Sequence, residues 1–427
     1  MSFPWIYDAL MPRHIVLLAV LAAGSLASAQ DASGDRPPVE LLQPQPGDGP
    51  LSTYLRLLDA EPQYPERSQA LSWIHQVLAA EAATLGMHPE ALAWMERGLM
   101  RSSRDSVGTL PDGTRAVDAV SEIVRLAEDR QVVMVNEAHH DATTRLLTLD
   151  LLAPLRQLGF RYLAAETFAP DSVLSRQPGY PTPDAGYYLD EPVFGAVVRE
   201  ALRLGYTLVP YESEIRIQDT TMTRQQWRDS TQAENLAARI FDRDARARVL
   251  VHAGYSHVNE EVGRFFHPMA RYFRQIMGID PLTVDQTEVG PMSAPGFEHP
   301  AYRAAIEAGL VDDAPVILVD AGGDPLAPIG REVFTDLQVL RPRVDRRPVE
   351  TLGMGRVRPW EAPARCGRCV VEVRRRDEGP DAVPVDRRVV DSGATVEVYG
   401  PRDQTLIVTI ADGETGRIVE RRFAVAL

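Results

Sequence analysis

A short apolar run that ends in ionisable residues decides the fold: Val132-Val133-Met134-Val135-Asn136-Glu137-Ala138-His139-His140. Five further apolar runs follow it, at residues 162–165, 207–211, 249–253, 282–284 and 316–319, and the segments between them have helical spacing. Runs without polar alternation are typical of strands that are covered on both faces of a parallel sheet. The sequence therefore predicts an α/β domain over residues 116–345, with a mostly parallel sheet flanked by helices.

The rest of the chain divides around this domain. Residues 30–50 are rich in Pro, Gly and Asp and predict a linker. Residues 51–115 predict a helical segment, in which Leu71, Ile74 and Leu78 share one face, and this segment is a candidate surface for a protein partner. Residues 346–427 alternate between apolar and polar positions and predict a small antiparallel β domain that could fold separately.

The N-terminus has the pattern of an export signal. An apolar run over residues 15–23 is followed by Ala27-Ser28-Ala29, which predicts a signal peptide over residues 1–29 and a mature chain that begins near Gln30. We expect a periplasmic or secreted protein. A single membrane anchor is the alternative, although the run is short for a membrane span. No cysteine follows the cleavage point, so a lipid anchor is not expected.

Composition excludes several classes of function. All 45 basic residues are arginine, so a Schiff-base lysine and a P-loop lysine are both excluded. A net charge of -15 disfavours nucleic acid and anionic membrane surfaces as partners, and a small-molecule or peptide substrate fits better. The two cysteines, Cys366 and Cys369, are expected to form a structural disulfide or to stay as thiols. A redox site is the alternative.

Ionisable side chains follow every predicted strand. The six runs lead into Glu137 with His139 and His140, into Glu166, into Glu212, into His257, into Asp285 and into Asp320. Ligands of open parallel sheets bind at the carboxyl ends of the strands, so we expect these side chains to meet at one edge. A helix cap or a turn is the alternative role for each carboxylate. His252 and His267 are expected to be packing residues.

A predicted helix over residues 228–240 adds a polar stripe. Arg228, Gln232 and Asn235 fall on one face at helical spacing. If this stripe faces the strand ends, Arg228 can clamp a carboxylate or stabilise an oxyanion. The alternative is an ordinary solvated face.

These motifs together, over residues 120–290, resemble the superfamily of erythromycin esterase-like, ChaN-like haem-binding and TraB/TIKI-like proteins. The esterase-like motif G-E-x-x-H selects His140, and the ChaN-like motif G-E-x-H selects His139. Two TIKI-like G-x-x-H motifs match residues 136–139 and 254–257, and Arg228-Asp229 with Glu234-Asn235 is similar to the esterase-like R-D-x-x-M-A-x-N. Asn136 departs from the family glycine. If that glycine serves a positive φ, asparagine is the next most tolerant residue.

The resemblance implies a hydrolase that activates water for attack on an ester, lactone or amide. In this hypothesis Glu137 or Glu166 orients His139 or His140 as the general base, and His257 with Arg228 holds the reacting carbonyl. We expect Glu212, Asn235 and Tyr255 to contact the substrate. In a metal-dependent form of the hypothesis, His139, Glu166 and His257 bind a divalent ion such as zinc or manganese.

Two other classes of function stay open. A ChaN-like protein would bind haem through a histidine or through one of Tyr187, Tyr188, Tyr211 and Tyr255. A catalytically inactive domain would serve protein partners through its helical and β segments. A serine hydrolase is not expected, because Ser256 lacks the second half of the G-x-S-x-G motif.

Overall fold

A computed structural model of the chain describes residues 37–42, 45–99, 107–175, 177–212, 222–262, 267–330, 333–343 and 347–427. The predicted signal peptide lies outside these ranges. None of the helices within them combines the length and the apolar character that a membrane span requires.

The first sheet is built around the run that begins at Val132. Its strands are β1 (Arg115–Asp118), β2 (Val132–Glu137), β3 (Tyr162–Ala165), β4 (Thr207–Pro210), β5 (Val249–Gly254), β6 (Leu282–Asp285), β7 (Val316–Val319) and β8 (Leu337–Leu340). They lie in the order β1-β7-β8-β6-β2-β5-β3-β4. The central strand β2 pairs in parallel with β5 and β6. Among these eight strands, β7 alone runs in the opposite direction to the rest, so it is antiparallel to both β1 and β8.

The predicted fold class is confirmed, and all six predicted runs are strands. The strands β1 and β8 were not predicted. Because β7 runs in the opposite direction, Asp320 lies at the other edge of the sheet. There it is exposed and accepts a hydrogen bond from the backbone of Gly323 over 2.9 Å. The expectation that all six runs deliver an ionisable residue to one edge is therefore wrong for Asp320.

Helices cover both faces of this sheet. In chain order the helices are α1 (Val39–Leu42), α2 (Ser52–Ala60), α3 (Gln69–Thr84), α4 (His88–Gly98), α5 (Ala119–Leu126), α6 (Thr144–Gln157), α7 (Asp171–Leu174), α8 (Pro192–Arg203), α9 (Arg224–Leu236), α10 (Met269–Met277) and α11 (Pro300–Glu307). The face that includes Val133 and Val135 packs against α5, α6 and α8. The face that includes Val132 and Met134 packs against α9 and α10.

Side-chain caps fix where two of these helices begin. The carboxylate of Glu191 accepts hydrogen bonds from the backbone of Val193 and Phe194, both over 2.8 Å, and so begins α8. Thr223 and Gln226 form a capping box at the start of α9. The cap of α8 places a buried negative charge near the carboxyl edge of the sheet.

The C-terminal region is antiparallel, as predicted. Its strands are β9 (Gly355–Arg356), β10 (Trp360–Glu361), β11 (Arg368–Arg375), β12 (Asp386–Asp391), β13 (Thr395–Val396), β14 (Tyr399–Gly400), β15 (Thr405–Asp412) and β16 (Ile418–Val425). Four of them form a sheet in the order β12-β11-β15-β16. Cys366 and Cys369 form a disulfide where the chain enters β11.

The helical segment packs on this second sheet. The backbone of Leu51 donates to the carbonyl of Gly413 over 2.8 Å, and Leu57, Ile74 and Val370 belong to one apolar cluster. At the junction, the buried Arg387 of β12 donates hydrogen bonds to Thr84 O, to Asp190 Oδ1 and to Glu372 Oε1, at 3.0, 2.9 and 2.8 Å. One guanidinium thus joins the helical segment, the α/β domain and the β region.

Candidate active site

The alternation of side chains along the central strands creates two polar clusters, one on each face of the sheet. Glu137 and His252 share the face of Val133 and Val135, under α6 and α8. Glu166 follows Ala164 on the other face, under α9. All three side chains are buried. The two clusters meet above the carboxyl ends of β2, β3 and β5.

The first cluster is centred on Glu137. Its Oε1 lies 2.7 Å from Nδ1 of His139, and its Oε2 accepts a hydrogen bond from Nε of Arg145 over 2.7 Å. Arg145 also donates to Glu191 over 2.8 Å and to the backbone oxygen of His139 over 3.0 Å. The carboxylate of Glu137 therefore orients His139 and is itself held by Arg145 of α6.

This cluster keeps Glu137 ionised. Burial raises the pKa of Glu137, but Arg145 and His252 lower it by more, so that it lies well below the ordinary value of 4.5. A carboxylate accepts hydrogen bonds and cannot donate them. The proton between Glu137 and His139 therefore belongs to Nδ1 when the ring is neutral, which leaves the lone pair on Nε2.

The second cluster is centred on Arg228 of α9. Its Nη2 donates to Glu166 Oε1 and to Glu212 Oε2, each over 2.5 Å, and Gln232 also donates to Glu212 over 3.1 Å. Burial raises the pKa of Glu166, and the charge of Arg228 lowers it by more, to about 2. Arg228 thus clamps two carboxylates of the protein, and clamping a carboxylate was one of the two roles expected for it.

His257 completes the second cluster. Its Nδ1 lies 2.5 Å from Oδ1 of Asp229, and its Nε2 lies 2.9 Å from Nη1 of Arg228. Burial lowers the pKa of His257 and the carboxylate of Asp229 raises it, with a net upward shift. Both ring nitrogens are already engaged, so His257 is not placed to hold a reacting carbonyl as the sequence-based hypothesis required.

The two clusters meet at His139 and Glu166. Nε2 of His139 is 3.9 Å from Oε1 of Glu166, which is too far for a hydrogen bond. Gly254 lies beside this gap, and its backbone donates to Glu166 Oε2 over 2.7 Å. A Cβ on Gly254 would come within 2.6 Å of His139 Nε2, so only glycine fits at this position.

Aromatic rings enclose the imidazole of His139. The ring of Tyr188 stacks on it with 4.3 Å between centroids, and Tyr255 contacts it edge-on at 5.0 Å. Tyr255 has a φ of +43°, a left-handed conformation that is strained for a bulky residue. Its hydroxyl lies 3.0 Å from Nδ1 of the half-buried His140. His139 is thus the enclosed histidine, and His140 lies at the rim.

Asn136 has a different role from the one expected of a glycine substitute. Its φ is not positive. Its amide nitrogen donates to Tyr255 O over 2.8 Å and to Asp285 Oδ1 over 2.7 Å, and its Oδ1 accepts from the backbone of Gln286 over 2.8 Å. Asn136 therefore joins β2 to the segments that follow β5 and β6, and Asp285, the last residue of β6, serves this junction.

Several other predicted residues lie away from the gap. Asn235 donates to the backbone oxygens of Tyr211 and Glu212, so it fixes the end of β4 and is not placed to contact a substrate. His252 packs between Thr148 and Glu137, in keeping with its expected packing role. The ring of His267 contacts Tyr272.

The expected metal-ligand set does not converge on one point. Arg228 lies between Glu166 and His257 and occupies the His257 nitrogen that would face an ion. In the part of the chain that the structure describes, no group of three His, Cys, Asp or Glu residues is placed to hold a metal. These residues do not fit a divalent ion in this arrangement.

Haem fits poorly for a related reason. Gly254 and Glu166 lie against the Nε2 side of His139, where the iron would have to bind. The hydroxyl of Tyr211 donates to the backbone of His252, and Tyr255 contacts His140. Tyr187 contacts the ring of Tyr188 edge-on.

Sequence patterns missed Arg145 and Glu191, and they gave Asp229 and Tyr188 no part in the hydrolase hypothesis. Arg145 is 1% exposed, yet in sequence it looks like a solvated residue at the start of a helix. Asp229 belongs to the Arg-Asp pair noted in the helix, but only the structure shows its contact with His257. A glutamate directly before the proline that begins α8 was the one available sign of the Glu191 cap.

Comparison with known proteins gives limited information. No protein family and no curated protein sequence matches this chain. Among solved structures, the type III effector HopBA1 aligns with 56% of this chain and 100% of its own, at 14% identity and a TM-score of 0.30. RRSP, a MARTX toxin effector domain from Vibrio vulnificus CMCP6, aligns with 40% of this chain and 36% of its own, at 13% identity and a TM-score of 0.30.

A third structure is the C-terminal region of Pasteurella multocida toxin, described as having a thiol-protease-like catalytic triad. It aligns with 83% of this chain and 54% of its own, at 12% identity and a TM-score of 0.30. The chain thus spans about a third to a half of the length of the last two structures. These likenesses carry no inference about its activity.

Proposed function

We propose that this chain is a hydrolase in which His139 acts as the general base that activates water for attack on the carbonyl carbon of an ester, lactone or amide. One observation carries the proposal. The Nδ1 atom of His139 is held by the ionised Glu137, while Nε2 has no hydrogen-bond partner among the described residues and lies across a 3.9 Å gap from Glu166. A histidine held by a carboxylate on one nitrogen is the usual form of a general base.

The gap suits one water molecule. A separation of 3.9 Å between Nε2 of His139 and Oε1 of Glu166 is too long for direct contact, and a single water can reach both atoms. Oε1 of Glu166 already accepts from Arg228 and has a second lone pair available. Glu166 would orient the water, and His139 would take its proton.

The reaction balances without another reactant. The water oxygen forms a bond to the carbonyl carbon as one of its protons moves to Nε2 of His139. The carbonyl π electrons move to the carbonyl oxygen and return as the bond to the leaving group breaks. The proton on His139 then passes to the leaving oxygen or nitrogen. The products are a carboxylic acid and an alcohol or amine.

Arg228 and His257 act as positioning residues in this scheme. Arg228 holds Glu166 and Glu212, and His257 is fixed between Asp229 and Arg228. Their role is to keep Glu166 ionised and in place, which preserves the geometry of the gap.

Export belongs to the same proposal. The N-terminal pattern of residues 1–29 and the disulfide between Cys366 and Cys369 support a periplasmic or secreted enzyme. Cell fractionation with N-terminal sequencing tests it: a mature N-terminus near Gln30 in the periplasm or medium is expected, and a full-length chain in the cytoplasm contradicts it.

The test of the hydrolase uses the purified chain and a panel of p-nitrophenyl esters, lactones and peptides. We expect His139→Ala to lower kcat by about 10²–10⁴ while the melting temperature stays close to that of the wild type, because general bases contribute that much. His140→Ala is the matched control and should have a much smaller effect. If both variants turn over like the wild type, His139 is not the base. A loss of wild-type activity with chelator would replace this mechanism with a metal-dependent one.

A further inference from the structure

The hydroxyl of Tyr188 is a buried polar group of the candidate site, and it has no hydrogen-bond partner in the described ranges of the chain. Tyr188 lies in a short 3-10 turn, Tyr187–Asp190, and its side chain is buried. Within the described residues, its hydroxyl oxygen makes no hydrogen bond. Buried hydroxyls are normally satisfied, and an unsatisfied one costs free energy, so a group left in this state needs an explanation.

Two other buried tyrosines show the ordinary arrangement. The hydroxyl of Tyr206 donates to the backbone oxygen of Leu152 over 2.7 Å, and that of Tyr211 donates to the backbone oxygen of His252 over 2.9 Å. Buried tyrosine hydroxyls on both faces of this sheet therefore have hydrogen-bond partners. Tyr188 differs from both.

The ring of Tyr188 is held in a defined place beside the base. It stacks on His139 with 14° between the ring planes, and Tyr187 contacts it edge-on at 4.7 Å. The guanidinium of Arg145 lies 5.7 Å from the centroid of the Tyr188 ring. The backbone nitrogen of Tyr188 donates to the hydroxyl of Thr167 over 2.7 Å. A ring fixed in this way presents its hydroxyl without further loss of side-chain entropy.

The hydroxyl is suited to donate. Burial raises the pKa of Tyr188, and the neighbouring Tyr187, Glu166 and Glu137 raise it further, well above the ordinary value of 10. The phenol therefore keeps its proton across the range in which a hydrolase works. Because its ring stacks on His139, this donor lies beside the base whose Nε2 faces the gap, where it can meet a hydrogen-bond acceptor.

We propose that Tyr188 donates a hydrogen bond to the carbonyl oxygen of the substrate and stabilises the negative charge that develops on it during water attack. This inference rests on the proposed hydrolase function and gives it the electrophilic partner that Arg228 and His257 do not supply. When water adds to the carbonyl carbon and His139 takes the proton, the carbonyl π electrons move to the oxygen. The hydrogen bond from Tyr188 strengthens at that moment, and the phenol keeps its proton.

The experiment compares Tyr188→Phe with Tyr206→Phe in the full chain, using p-nitrophenyl acetate as the probe. We expect Tyr188→Phe to lower kcat by about 10²–10³, as removal of one oxyanion donor does, with little change in KM. Its melting temperature should equal or exceed that of the wild type, since no protein hydrogen bond is lost. Tyr206→Phe should lower the melting temperature and leave kcat unchanged.

The outcomes separate the two proposals. If His139→Ala loses activity and Tyr188→Phe keeps it, the assignment of Tyr188 is overturned and the hydrolase proposal stands. If Tyr188→Phe loses activity only in proportion to a lower melting temperature, the role of Tyr188 is structural and the assignment is also overturned. If the wild type hydrolyses no member of the panel of p-nitrophenyl esters, lactones and peptides faster than buffer, both proposals fall together.

Discussion

Arg228 donates a hydrogen bond from Nη1 to Nε2 of His257 over 2.9 Å. A guanidinium has no lone pair to offer, so the histidine nitrogen must be the acceptor. The neutral form of the ring makes this contact with its proton on Nδ1, facing Asp229. Protonation of His257 would place a second N–H against Arg228 and force the two side chains apart. His257 thus supports Arg228, whereas Nε2 of His139 has no hydrogen-bond partner within the part of the chain that the structure describes.

Stability should depend on pH through Glu166. Its folded pKa of about 2 lies below the ordinary value of 4.5, so its ionisation stabilises the fold above about pH 4.5. This contribution is lost as the pH falls through about 2. Urea unfolding at pH 7, 5, 4 and 3 should show the free energies of unfolding of the wild type and Glu166→Gln converging as the pH falls. A constant difference would show that Glu166 does not titrate in this way.

Gly254→Ala should damage activity more than stability. The added Cβ would lie 2.5 Å from Cε1 of His139 and 3.1 Å from Oε2 of Glu166, so the imidazole must move. We expect kcat to fall by about 10²-fold, the cost of misplacing a catalytic group by about 1 Å. Gly367→Ala is the control, because no atom lies within 4 Å of its added Cβ. Equal kcat values in the two variants would mean that the position of His139 is not critical.

Asn136→Gly should be harmful even though it restores the glycine of the esterase-like pattern. The variant loses the amide that joins Tyr255, Asp285 and Gln286. Leaving these buried groups unpaired should lower the free energy of unfolding by about 3 kcal/mol, and chemical denaturation measures this directly. A variant as stable as the wild type would show that asparagine and glycine are interchangeable here.

Arg387→Met tests whether the helical segment, the α/β domain and the β region unfold together. Removing this buried cation leaves Glu372 and Asp190 with one partner fewer and should cost about 3 kcal/mol. We expect one cooperative transition with a lower midpoint. Arg388→Met, the neighbouring and less buried position, is the control. Two separate transitions, with the β region unfolding first, would show that the β region folds separately. Limited proteolysis would then cleave the variant near residue 346.

Strand positions were readable from the sequence because burial on both faces leaves continuous apolar runs. The run at residues 162–165 contains no charged residue, and the structure gives the same bounds for β3. The direction of β7 was not readable, since an apolar run carries no information about the direction of its neighbours. That direction decides which edge receives Asp320.

The site was readable only in part. Glu137, His139, Glu166 and Arg228 follow or face predicted strands, and the structure brings them together. Arg145 was missed because the carboxylates that bury it are 8 and 46 residues away along the chain. The choice between His139 and His140 also depended on three-dimensional contacts, since both fit a family motif.

The position of β2 in the sheet has a consequence for how the chain folds. Val133 pairs with Leu250 on one side and with Leu282 on the other. Both neighbours of β2 are therefore synthesised long after β2 itself. Closing such long loops costs chain entropy, and folds dominated by non-local pairing form slowly. A nascent chain cannot give β2 both of its neighbours before β6 emerges, and it cannot complete the sheet before β8 does. The two halves of the site, on β2 and after β3, are joined through β5, which pairs with both strands and follows them in the chain.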